Sequence, residues 1–132
     1  MKEQVLSIEQ MKHLASIGVD ISKASMHWQY LPTANSILNG SCELSKEPDL
    51  FVSQPGMKHE YPAFTLQDLI NMLPSSISHR HIDYFLSIRK NDYGCMVAYH
   101  TAGHGNIFLS KSKNILDSAY EILLWVIENK YN

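Results

Sequence analysis

The sequence predicts a mixed α+β fold: an antiparallel sheet with a C-terminal amphipathic helix and two shorter helices packed on it. Three observations carry this. Three runs of strand character, Ile82 to Lys90, Cys95 to His100 and Ile107 to Ser110, are separated by turn residues. A long capped helix, Ile115 to Asn129, follows at once. A three-stranded antiparallel sheet needs a cover for its apolar face, and that helix is placed to give it.

The first element is a helix from Ile8 to Ile17. Ser7 and Gln10 form a capping box, Leu6 and Met11 a hydrophobic staple, and Gly18 a stop. Ile8, Met11, Leu14 and Ala15 make its apolar stripe. Ala24 to Leu31 then alternates as a strand, and Pro32 ends it. Ala24, Met26, Trp28 and Tyr30 fall on one side, Ser25, His27 and Gln29 on the other. Asn39-Gly40 has the composition of a hairpin turn joining strands at Ser36 to Leu38 and Cys42 to Leu44. Leu50 to Ser53 reads as a further strand, and Pro55-Gly56 as a turn.

Thr65 caps a second short helix, with Asp68 at its third position and Phe64 and Leu69 as a staple pair. Leu66, Leu69, Ile70 and Leu73 form its stripe and Pro74 stops it. The polar run Ser75 to His79 links to the C-terminal unit.

In the closing helix Asn114 is the N-cap, and Asp117 sits where the helix dipole favours an anion. Ile115, Leu116, Ala119, Tyr120, Ile122, Leu123, Val126 and Ile127 gather on one face; Asp117, Glu121 and Glu128 gather on the opposite one. Two residues break the pattern. Leu124 falls among the acids, and Trp125 falls beside Ser118 and Glu121. Large apolar groups at the edge of a polar face mark either cover by another segment or a contact surface. Leu124 and Trp125 are therefore the candidate partner-binding residues, for a second copy or a foreign protein.

At 132 residues the chain predicts a single domain over 1–132, long enough to bury about two thirds of its unfolded surface. The net charge of −2 offers no broad attraction for phosphate backbones, which disfavours general nucleic-acid binding. The tight basic clusters, Arg89-Lys90 and Lys111 with Lys113, read as solvated loop ends. Cys42 and Cys95 do not make a disulfide framework. The opening Met-Lys-Glu-Gln leads into helix signals without the apolar core of a signal peptide, and no stretch has the length of a membrane span. The expected compartment is the cytoplasm, with both thiols reduced.

The seven histidines are the residues with most chemical potential. His79 and His81 flank Arg80; His100 and His104 bracket a turn. A metal needs three or four donors at about 2.0–2.1 Å. In an extended segment His79 and His81 point to one side, and a hairpin around Asn91 to Gly94 carries His100 towards them. That makes His79, His81 and His100, with Asp83 as a further ligand, the alternative metal site; scattered surface histidines are the competing reading. No HExxH string or CxxC pair is present, no serine sits in a G-x-S-x-G elbow, and Gly103-His104-Gly105 lacks the Lys-Ser or Lys-Thr of a phosphate loop. No catalytic or cofactor-binding residue is assigned. Trp28, Tyr30, Phe85, Tyr99 and Phe108, at strand spacing, read as core rather than as base-stacking platforms.

Three segments, LSIEQMKHLASIGVDISKASMHW (6–28), FTLQDLINMLP (64–74) and NILDSAYEILLWVIENKYN (114–132), resemble a group of small uncharacterised bacterial proteins associated with phages and mobile elements. They agree in order and spacing and cover under half of the chain. The resemblance implies a small accessory protein and brings no activity. Residues 84–129 are also similar, in topology, to the HicB-type antitoxin domain, in which a partial RNase-H-like sheet packs one helix and binds a toxin. The functional expectation is a non-enzymatic protein-interaction or accessory protein with no cofactor. The alternative is a small metal-dependent enzyme built on the histidine cluster.

Overall fold

Caps and tight turns divide this chain into short elements. A computed structural model describes residues 4–41, 43–54 and 61–131. Its residues form antiparallel sheets with four α-helices among the described residues, and group into two compact units, Met1–Thr65 and Leu66–Asn132. No helix among the described residues is long and apolar enough to cross a membrane.

The first unit holds α1 (Ile8–Ser16), a single 3-10 turn (Ile21–Lys23), β1 (Met26–Gln29), α2 (Ala34–Asn39), β2 (Asp49–Val52) and β3 (Tyr61–Ala63). The capping box of α1 is complete: Gln10 N–H donates to Ser7 Oγ, and Ser7 N–H donates to the Gln10 side chain at 2.9 Å. Met11 and Leu14 are buried, but Ala15 is exposed, so the buried arc is narrower than the expected stripe. β1 is the centre of a three-stranded sheet, with β2 and β3 on its flanks. Pro62 lies in β3, where an edge strand tolerates a residue without an N–H. Trp28 is buried with Val5 and Ala63, and its indole N–H donates to the Leu6 carbonyl at 3.1 Å.

The expected hairpin at Asn39-Gly40 is instead the end of α2. Thr33 Oγ1 accepts from Ser36 N–H at 3.1 Å to start that helix, and Gly40, at φ +73°, closes it. Hairpin turns and helix ends both need a positive φ, so the same dipeptide serves either. Leu44 forms an isolated bridge with Pro32. Cys42 and the Pro55-Gly56 turn lie outside the described residues.

The second unit holds α3 (Leu66–Met72), β4 (Ser76–His79), β5 (Ile82–Asn91), β6 (Gly94–Thr101), β7 (Gly105–Ser112) and α4 (Ile115–Glu128). The strands pair in sequence order, β4-β5-β6-β7, all antiparallel. The sheet therefore has four strands, and Ser76–His79, expected as a polar link, supplies the fourth. Its one apolar residue, Ile77, is buried and pairs with Tyr84. The chain reverses between β4 and β5 at Arg80 and His81, both at positive φ (51° and 66°).

Asn114 caps α4 as expected, its side chain accepting from Leu116 N–H at 3.0 Å. The helix packs on β6 and β7 and touches α3. Leu116, Ala119, Ile122, Leu123 and Val126 are buried. Ser118, placed by the helix wheel outside the stripe, is also fully buried, and its hydroxyl meets Ser112 Oγ at 2.6 Å. Beside it Ser110 Oγ donates to the Glu121 carboxylate. Each of these hydroxyls thus has a partner where the helix crosses β7, as burial of polar groups requires.

Candidate functional site

The strand register sorts the second unit's residues between two sheet faces. Leu86 pairs with Tyr99, Tyr99 with Phe108, and Val97 with Ile88 and Ser110. Ser110 and Ser112 bond to α4, so this is the face the helix covers. The alternate residues form the other face: Asp83, Phe85, Ser87 and Arg89 on β5, Met96, Ala98 and His100 on β6, and Leu109 and Lys111 on β7. There Phe85, paired with His100, remains 57% exposed, and Leu109, paired with the buried Ala98, 37%. Side chains of alternate strand residues must go to opposite faces, so a sheet covered on one side shows its other set to its surroundings.

Trp125 does not stand free. Its ring stacks on Phe108 (centroids 4.8 Å apart, planes at 14°) and also meets Tyr99 at 6.1 Å and Tyr131 at 5.2 Å. Tyr99 in turn donates from its hydroxyl to the Pro74 carbonyl at 2.7 Å. Burial pushes the Tyr99 hydroxyl up to about 12. Trp125 thus closes the edge of the helix–sheet core within its own unit. Leu124 is half-buried, and its neighbours Asp117, Glu121 and Glu128 are exposed.

His79, His81 and His100 do not converge. His79 shares the face of Ile77 and Tyr84, and its Nδ1 lies 2.9 Å from the Tyr131 hydroxyl. His100 pairs with Phe85 on the opposite face, its Nδ1 2.8 Å from Asn106 Oδ1. His81 sits exposed in the two-residue turn, so the extended alternation that would align it with His79 is broken. Asp83 accepts from Ser78 Oγ on the face of His100. Among the described residues no three histidines, cysteines or acids come together as metal ligands.

One grouping escaped sequence reasoning. The β5–β6–β7 register puts Arg89 and Lys111 on either side of Met96, with Lys90 and Lys113 close by along the chain. Two clusters well separated in the chain, Arg89-Lys90 and Lys111 with Lys113, thus become one basic end of the sheet. Beside it Tyr93, 93% exposed at the hairpin tip, borders a cleft of about 690 Å³ that Lys111, Lys113 and Met96 also line. The Tyr93 N–H donates to Asn91 Oδ1 at 2.8 Å, which fixes that tip. Phe85, expected in the core, is instead exposed, and Leu109 escaped likewise, because alternation along a strand says which residues share a face but not which face is covered. No family model, curated protein or solved structure matches this chain.

Proposed function

We propose that this protein is a non-enzymatic interaction protein, docking through the open sheet face centred on Phe85 and Leu109. The observation that carries the reading is the exposure of these two large side chains, 57% and 37%, beside Ala98 on a face opposite to α4. Grouped exposed apolar side chains on a well-formed sheet are the usual mark of a contact surface. The partner is a protein, and the setting is the cytoplasm, where Cys95 stays a free thiol. The likeness of segments 6–28, 64–74 and 114–132 to small phage and mobile-element proteins supports an accessory role of that origin.

Site-specific photo-crosslinking tests this. A photoreactive phenylalanine replaces Phe85 in one sample and the exposed Glu9 in another, each in the full chain expressed in bacteria. The reading expects discrete protein adducts from position 85 and not from position 9. The same adduct pattern from both positions, or none from position 85, overturns it.

A further inference from the structure

We infer that the occupant of the open face is a second copy of this chain, related to the first by a two-fold axis lying across the strands; the inference rests on the interaction reading above. The reason lies in the order of side chains on β5. Its open side presents Asp83, Phe85, Ser87 and Arg89 in sequence: an acid, a large ring, a small hydroxyl and a base. Reversed end for end about a point between Phe85 and Ser87, the row is its own complement. Asp83 then meets Arg89, and Phe85 meets Ser87.

A two-fold axis between two stacked sheets, running across their strands, performs that reversal. It is also the symmetry by which identical patches meet each other. Stacked sheets lie about 10 Å apart, which leaves room for the Phe85 ring over a side chain as small as serine. At roughly 3.4 Å per residue, Asp83 and Arg89 stand about 20 Å apart on one strand, so the two ion pairs flank the apolar centre and fix its register. The neighbouring strands bring no acid to this face: β6 presents Met96, Ala98 and His100, β7 presents Leu109, and Lys111 is left at the rim. The outer side of α4 has no such symmetry. Self-pairing around Leu124 brings Asp117, Glu121 and Glu128 against their own copies, which is unfavourable.

The test is a charge swap in the full chain, read by sedimentation and light scattering over a concentration series. The parent is expected to run as a dimer. Arg89→Glu and Asp83→Arg each set like charges opposite one another and should raise the dissociation constant at least tenfold. The double variant carrying both should return to within a few-fold of the parent, because the row is again its own complement. Asp83→Asn keeps an acceptor for Ser78, so it covers the case in which Asp83→Arg misfolds; it should weaken the dimer by a smaller factor. A parent that stays monomeric, or a double variant no tighter than the singles, overturns the proposal. A monomeric parent whose position-85 crosslinker still captures another protein refutes self-association alone and leaves the interaction reading standing. A monomer with no adduct removes both.

Discussion

Trp125 lies on Phe108 with ring centroids 4.8 Å apart and planes 14° from parallel. A ring from α4 and a ring from the edge strand β7 therefore form one stack, flanked by Tyr99 and Tyr131. Trp125→Ala removes the centre of that stack and should cost about 3 kcal/mol. Denaturant unfolding measures the loss, and the near-ultraviolet circular dichroism of the stacked rings should fall with it. A loss below about 0.5 kcal/mol would mean that the ring serves a contact surface and not the core.

Leu123 is 2% exposed in the middle of the α4 face that meets the sheet. Leu123→Ala leaves a cavity between two layers and should destabilise the fold by about 2–5 kcal/mol. Leu124→Ala, one residue on and half-buried, should cost less. Equal losses for the two would show that the helix is turned differently on its axis.

The Tyr99 hydroxyl, raised from 10.0 to about 12 by burial, makes stability fall at high pH. The folded state holds the proton more tightly than the unfolded chain does. Its contribution is therefore complete below pH 10 and is lost as pH rises from 10 towards 12. Tyr99→Phe lacks the hydroxyl that donates to Pro74, and should give up about 1 kcal/mol near neutrality. Over the alkaline window its melting temperature should fall less steeply than the parent's. Parallel curves would count against the assignment.

Arg80 and His81 both occupy positive φ, a region in which side chains with a Cβ are strained. Replacing the pair with Asn-Gly, the residues such a two-residue turn prefers, should stabilise the fold by about 1 kcal/mol. A rise in the denaturation midpoint at unchanged slope checks it. A fall would show that the Arg80 or His81 side chain contributes more than its backbone costs.

The legible parts of this fold are those written in local chemistry. Ser7 with Gln10, and Asn114 before Ile115, mark helix starts because the cap bonds span only two or three residues. The strands of β5 to β7 stand out because long alternating runs are cut by Asn, Asp and Gly. β4 was hidden because Ile77 is its only apolar residue, and one residue has no period. Its pairing with β5 depends on a turn at Arg80-His81 that no turn residue announces. The site was least legible, since it depends on which sheet face α4 takes and on register. For Trp125 the helix wheel leaves cover by another segment and a contact surface both open, because the wheel ignores how far an indole reaches sideways; the rings of Phe108, Tyr99 and Tyr131 provide the cover. Arg89 and Lys111 looked like separate loop ends because only pairing across β6 makes them neighbours.

The uninterrupted β4-β5-β6-β7 order bears on how the chain folds. Each strand of that sheet pairs with the next one along, across connections of a few residues, so the loops to be closed are short and their entropy cost is small. In the first unit β1 must find β2 across about twenty residues and β3 across more than thirty, and Leu6 must reach the Phe64 carbonyl. Local pairing speeds folding and distant pairing slows it. Contact order therefore predicts that the C-terminal meander forms before the N-terminal sheet, whose distant strands have the longer search.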